Sequence, residues 1–100
     1  FYYKGSQQLG LLEHEISYVP GTSQKIKYPN SMKIFKKVYP KLKAGDCLIH
    51  SSLVVHGSER NLSHKPRRGF TLRFIAQNDK FDVFKMRNYK KSLKKSIRGK

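Results

Sequence analysis

Between Gly45 and Phe74 the chain reads GDCLIHSSLVVHGSERNLSHKPRRGFTLRF. Two runs of strand-forming residues flank a connection rich in Gly, Ser, Asn and Pro, the pattern of short strands joined by a polar turn. In the second run Phe70, Leu72 and Phe74 alternate with Arg67, Gly69, Thr71 and Arg73, so one face is apolar and the other cationic or small. A sheet with an apolar side and a polar side is therefore the element that the rest of the fold must accommodate.

The flanking segments are punctuated in the same way. FYYKGSQQLGLLEHE predicts a short strand, a Gly-Ser turn and an apolar pair. Pro20-Gly21 is a turn signal, and Lys43-Ala44-Gly45-Asp46 leads into the first strand-like run. Met32, Phe35 and Val38 sit at near-helical spacing, but Pro40 stops the segment and leaves a turn of helix or a loop. Asn78 and Asp79 end the second run. After them Met86, Tyr89, Leu93 and Ile97 recur at helix-compatible intervals among lysines, which reads as a basic helix or a disordered end. One hundred residues allow one small domain, expected over 1–84 with a basic tail over 85–100. Short strands between turn signals indicate a mostly β architecture, a sandwich or jelly roll.

Charge narrows the partners. Lys and Arg number 22 against 6 Asp and Glu, a net charge of +16, and eight of the 22 lie in residues 85–100. Such a balance speaks to solubility and anionic partners and not to fold. The single cysteine, Cys47, excludes a disulfide framework and suits a reducing, cytoplasmic compartment; in its apolar run it reads as a small buried residue. No apolar run is long enough to span a bilayer. FYYKGSQQLG does not resemble a signal peptide, and the first residue is Phe, so the genuine N-terminus is expected upstream.

Of the four histidines, His56 is distinctive because Gly57 follows it, permitting a sharp turn that leaves the imidazole projecting into a cavity. In one continuous strand His50 would share its face but stand roughly 20 Å away, too far to hold the same ion. A bend at Ser51-Ser52 would shorten that. Arg67, eleven residues on, has a planar fork suited to two carboxylate oxygens. Gly69 on the same face leaves room for a ligand, and Ser58 offers a hydroxyl. A one-residue slip would substitute Arg68, but alternation puts Arg68 with Phe70 and Leu72. Arg73 shares the Arg67 face, where it would meet an anionic substrate group or sit as an edge charge. His14, His50 and His64 read as structural or exposed.

The segment 45–74 resembles the C-terminal signature of the phytanoyl-CoA dioxygenase family, and YYKGSQQLGLLEHE is similar to a GSHK-like stretch of that family, with Gln7 where His is usual. The resemblance spans most of residues 1–75. It implies a double-stranded β-helix (cupin-like jelly roll), of which this chain would be the C-terminal half. It also implies an Fe(II)- and 2-oxoglutarate-dependent hydroxylase acting with O2 on a small-molecule substrate. By the same resemblance His56 is the distal iron ligand, Arg67 binds the distal carboxylate of 2-oxoglutarate, and Ser58 assists.

The family's other two ligands come from an upstream His-x-Asp motif, whereas the residues two after each histidine here are Ile16, Ser52, Ser58 and Pro66. With one ligand of three, these residues alone are expected to be inactive. A small basic nucleic-acid-binding β-module is the rival, with Tyr2, Tyr3, Tyr18 and Phe35 stacking bases, though no binding motif accompanies the dispersed lysines. No specific nucleic acid and no membrane are expected as partners, and the tail reads as a solvated end or a contact for an anionic surface.

Overall fold

The computed structural model describes residues 1–20 and 22–98. Gly21 of the Pro-Gly turn signal, and Gly99 and Lys100 of the basic tail, lie outside the described residues. The chain forms two compact units, Phe1–Glu15 with Ile26–Arg60 and Ile16–Lys25 with Asn61–Lys100.

The first unit is built on β1 (Tyr2–Tyr3), which runs antiparallel to a later strand, Lys37–Val38, with Tyr2 opposite Val38 and Tyr3 opposite Lys37. A 3₁₀ turn over Ser6–Leu9 follows β1. A second 3₁₀ segment, Pro29–Ile34, starts on proline, whose missing N–H costs nothing at a helix start. It buries Met32 completely, the one large apolar side chain so buried among the described residues. The near-helical spacing of Met32 and Phe35 thus yields a short 3₁₀ helix. The Lys43–Asp46 turn forms as expected: Asp46 N–H donates to Lys43 O, and Lys43 N–H to the Asp46 carboxylate.

Between the two 3₁₀ segments lie β2 (His14–Ile16) and β3 (Gln24–Ile26), hydrogen-bonded as a two-stranded sheet, so that Lys37–Val38 is β4 in chain order. Lys27 pairs with Glu13 beside this sheet at 3.0 Å.

In the second unit α1 spans Val83–Arg98. Asp82 caps it, its carboxylate accepting from Lys85 N–H at 3.0 Å. Ser96 is buried and donates to Ser17 O at 3.2 Å, which ties the helix to the segment after β2. Asn61 organises the polar connection: its side chain accepts from Ser63 N–H and donates to Lys65 O. A turn over Ala76–Asp79 closes through Asp79 N–H to Ala76 O.

Two expectations are corrected. Neither 47–56 nor 67–78 forms a strand, His56 making only an isolated bridge. The alternation of Phe70, Leu72 and Phe74 is real, but a strand exists only where a neighbour supplies ladder partners. None of the described residues does so, leaving Phe70 and Phe74 each 89% exposed. Cys47 is exposed for the same reason, because its run is not embedded in a sheet. Among the described residues the elements seen are small two-stranded sheets, two 3₁₀ segments and a C-terminal helix.

Candidate functional site

What positions His56 is its backbone. Val55–Gly57 lies antiparallel alongside β1, on the edge opposite β4. Tyr3 N–H donates to Val55 O at 2.9 Å, Gly57 N–H to Phe1 O at 3.1 Å, and Phe1 N to Gly57 O at 2.8 Å. Tyr2 and His56 face one another in an antiparallel bridge. Ser6, wholly buried, accepts from Val55 N–H at 2.8 Å, so both polar groups of Val55 are satisfied and the segment is held on each side.

Gly57 is required by space. A Cβ there would lie 2.9 Å from Cζ of the Phe1 ring, closer than carbon atoms tolerate. That ring in turn packs edge-on against Tyr3 and carries Lys37 Nζ at 3.8 Å from its centroid. Lys37 also donates to Glu59, and Tyr39 O–H donates to the same carboxylate oxygen at 3.0 Å. The hydrogen bond from Lys37 holds the Glu59 carboxyl below its ordinary range, and reciprocally Lys37 lies above the usual lysine range.

Three rings meet beside this scaffold. The Tyr2 and His56 rings stack at 5.5 Å between centroids and 24° between planes; His50 lies 5.1 Å from Tyr2 and 4.8 Å from His56. His50 comes so near because the chain turns at Ser51. Val54 N–H donates to Ser51 O at 3.2 Å, and Leu53 N–H donates to the Ser51 hydroxyl at 3.2 Å. The 20 Å separation of a continuous strand therefore does not apply.

Each imidazole contacts a carbonyl through Nδ1, His56 to Val54 O at 2.9 Å and His50 to Ser51 O at 3.0 Å. A carbonyl only accepts, so Nδ1 carries the proton, and in the neutral ring the lone pair resides on Nε2. This is the arrangement a metal-binding imidazole uses, with its second nitrogen fixed by a backbone acceptor. A cavity of ≈ 340 Å³ adjoins the rings, lined by Tyr2, His50, Val38, Pro40, Leu48 and Val54, with Lys4 and Gln7 among its polar members.

Of the residues the sequence singled out, His56 and Ser58 belong to the first unit and Arg67 to the second. Ser58 and Arg67 are both exposed. His14 and His64 are exposed. Tyr2 and His50 are the neighbours that sequence reasoning passed over as site residues. The signal for His50 was the Ser51-Ser52 pair interrupting an apolar run. Among the described residues no group of three His, Cys, Asp or Glu side chains is placed to hold a metal ion.

The model of the phytanoyl-CoA dioxygenase family matches residues 1–69, which include β1, the ring cluster, His56, Ser58 and Arg67. The chain belongs to that family. This makes it a member of an oxygenase-type family whose members generally depend on Fe(II) and 2-oxoglutarate. No curated protein and no solved structure matches it. Among the described residues no helix is long and apolar enough to cross a membrane.

The donor set tests how far this chain suits such an ion. An imidazole with Nδ1–H engaged and Nε2 bearing the lone pair suits one position of a two-histidine, one-carboxylate site. It does not suit the whole site, because the sequence contains no His-x-Asp or His-x-Glu to complete it.

Proposed function

We propose that this phytanoyl-CoA dioxygenase family chain is the His56- and Arg67-bearing part of an Fe(II)/2-oxoglutarate-dependent hydroxylase built on a double-stranded β-helix. In this reading residues 1–84 belong to the oxygenase domain and 85–100 form a separate tail. The remaining two iron ligands come from a His-x-Asp or His-x-Glu segment outside these residues. The observation that carries the reading is the match over residues 1–69, which takes in the His56–Arg67 pair.

Bound iron with 2-oxoglutarate and O2 supplies the oxidising power for hydroxylation, with succinate and carbon dioxide as the other products. The contributions of the chain itself are positional. His56 presents Nε2 because Val54 O holds Nδ1–H, and the Tyr2 ring stacked on it restricts rotation of the imidazole. Arg67 offers the two-pronged donor for the distal carboxylate of the keto acid, and Ser58 assists. The cavity beside Tyr2 and His50 gives an apolar small molecule a wall one ring removed from His56. Exposed Cys47 fits a reducing compartment, which agrees with cytoplasmic residence.

The test is succinate formation from 2-oxoglutarate by the protein that joins this chain to its His-x-Asp or His-x-Glu segment. Arg67→Ala raises the KM for 2-oxoglutarate by roughly tenfold or more, the worth of a charge-assisted pair, and Arg67→Lys recovers part of it. The 100-residue chain alone gives no succinate. An Arg67→Ala variant with unchanged KM, or turnover by the isolated chain, would overturn the assignment.

A further inference from the structure

Helix α1 lies wholly outside residues 1–69 and owes nothing to the oxygenase reading. At about 100° per residue, Arg87, Lys90, Lys91, Lys94, Lys95 and Arg98 project within an arc of roughly 140°. Buried Ser96 and half-buried Leu93 fall on the opposite side, where Ser96 anchors the helix to Ser17. The anchoring therefore turns the cationic face outward, and all six of its cations are exposed.

That face is built at a cost. Arg87/Lys91, Lys90/Lys94, Lys91/Lys95 and Lys94/Arg98 are four like-charge pairs at i,i+4 spacing, each destabilising to a helix, and Val83–Arg98 contains no acid to offset them. Among the described residues the ion pair of this region is Lys85 with Asp82, which is off the arc. An external anionic surface would relieve the repulsion. The apolar side chains on the arc indicate which one. Val83 and Phe84 project within it at 67% and 72% exposure, Phe81 precedes them, and Ile97 borders it at 66%. A polyphosphate backbone has nothing apolar to receive a valine and an isoleucine. The boundary between lipid headgroups and acyl chains does, directly beneath its phosphates.

We propose that the cationic face of α1 docks on an anionic phospholipid surface, with its six cations at the headgroups and Phe84 inserted between them. The contact is peripheral and reversible, as electrostatic attachment of a polybasic helix is.

The measurement is co-sedimentation of the 100-residue chain with phosphatidylcholine vesicles with and without phosphatidylserine, alongside competition by an RNA oligonucleotide. Binding is expected to require phosphatidylserine and to fall steeply with salt. Each cation neutralised weakens partitioning about fivefold. The combined Lys91→Gln, Lys94→Gln, Lys95→Gln variant therefore loses about a hundredfold while helical circular dichroism is kept or increased. The chain has no tryptophan, so Phe84→Trp supplies a single reporter, whose emission shifts to the blue on vesicles. Equal binding to phosphatidylcholine alone, an unshifted emission from the Phe84→Trp variant, or RNA binding that excludes vesicles would each overturn the proposal.

Discussion

At the scale of single residues the geometry gives His56 and His50 different supports. His56 is fixed by a bridge to Tyr2, a stacked ring and a carbonyl on Nδ1, whereas His50 reaches it only through the Ser51 turn. Ser51→Ala removes the hydroxyl that accepts from Leu53 N–H. It is expected to loosen His50 while leaving His56 in place, read as lost cross-peaks between the His50 and His56 rings with those between His56 and Tyr2 retained. Gly57→Ala must displace the Phe1 ring, because the added carbon would meet Phe1 Cζ at 2.9 Å. The upfield shifts of the Lys37 side chain, which sits over that ring, are expected to disappear with it. Glu59 supplies a pH test. Its carboxyl is depressed chiefly by the hydrogen bond from Lys37, so its contribution is present above the ordinary glutamate value and lost as pH falls through the depressed one. A carboxyl-carbon titration should show Glu59 protonating later on acidification than in the Lys37→Met variant. Legible in the chain was the His56-Gly57 pair, whose glycine the Phe1 ring requires. Invisible was Tyr2 as a ring partner, since contacts between residues about fifty apart in sequence carry no local pattern, whereas the approach of His50 turned on the Ser51 bend that the sequence left open.

Among elements, the helix and the short strand at Tyr2–Tyr3 were readable, whereas the strands expected over 47–56 and 67–78 are absent, for a physical reason. Met86, Tyr89, Leu93 and Ile97 mark the helix, and α1 satisfies its backbone within its own residues. Asp82 adds a cap, and the Lys85 N–H it accepts holds its carboxyl below the ordinary range. Helix content is therefore expected to decline in Asp82→Ala, and in the native chain to decline as pH falls through that lowered value, because a protonated carboxyl caps poorly. Far-ultraviolet circular dichroism between pH 6 and pH 2 checks both. The run 67–78 carries equally clear alternation, yet a strand borrows its hydrogen bonds from a neighbour. Periodicity in one segment states which face would be buried and is silent about whether a partner strand is there. The same holds for 47–56, where among the described residues His56 gains an isolated bridge, to Tyr2.

For the molecule as a whole, +16 charge and a core with Met32 as its fully buried large apolar residue imply weak cooperativity. Urea unfolding of the isolated chain is expected to be shallow, with a slope below about 1 kcal/mol/M, since little surface is released. The exposed faces at Phe70, Phe74 and Ile49 are the kind of apolar surface a larger β-sheet assembly would cover. Family membership spans 1–69 and the basic helix lies beyond it, so the proposed chemistry and the proposed surface attachment belong to different parts of the chain. The proposed function requires above all that His56 be an iron ligand. Its most direct test is iron-dependent succinate formation by the protein carrying both this chain and its His-x-Asp or His-x-Glu segment, compared across wild type, His50→Ala and His56→Ala. A ligand outweighs any residue that merely supports one, so His56→Ala should lose at least about 100-fold in activity and release its iron. His50→Ala should keep the iron. Full activity with stoichiometric iron in His56→Ala would contradict the account.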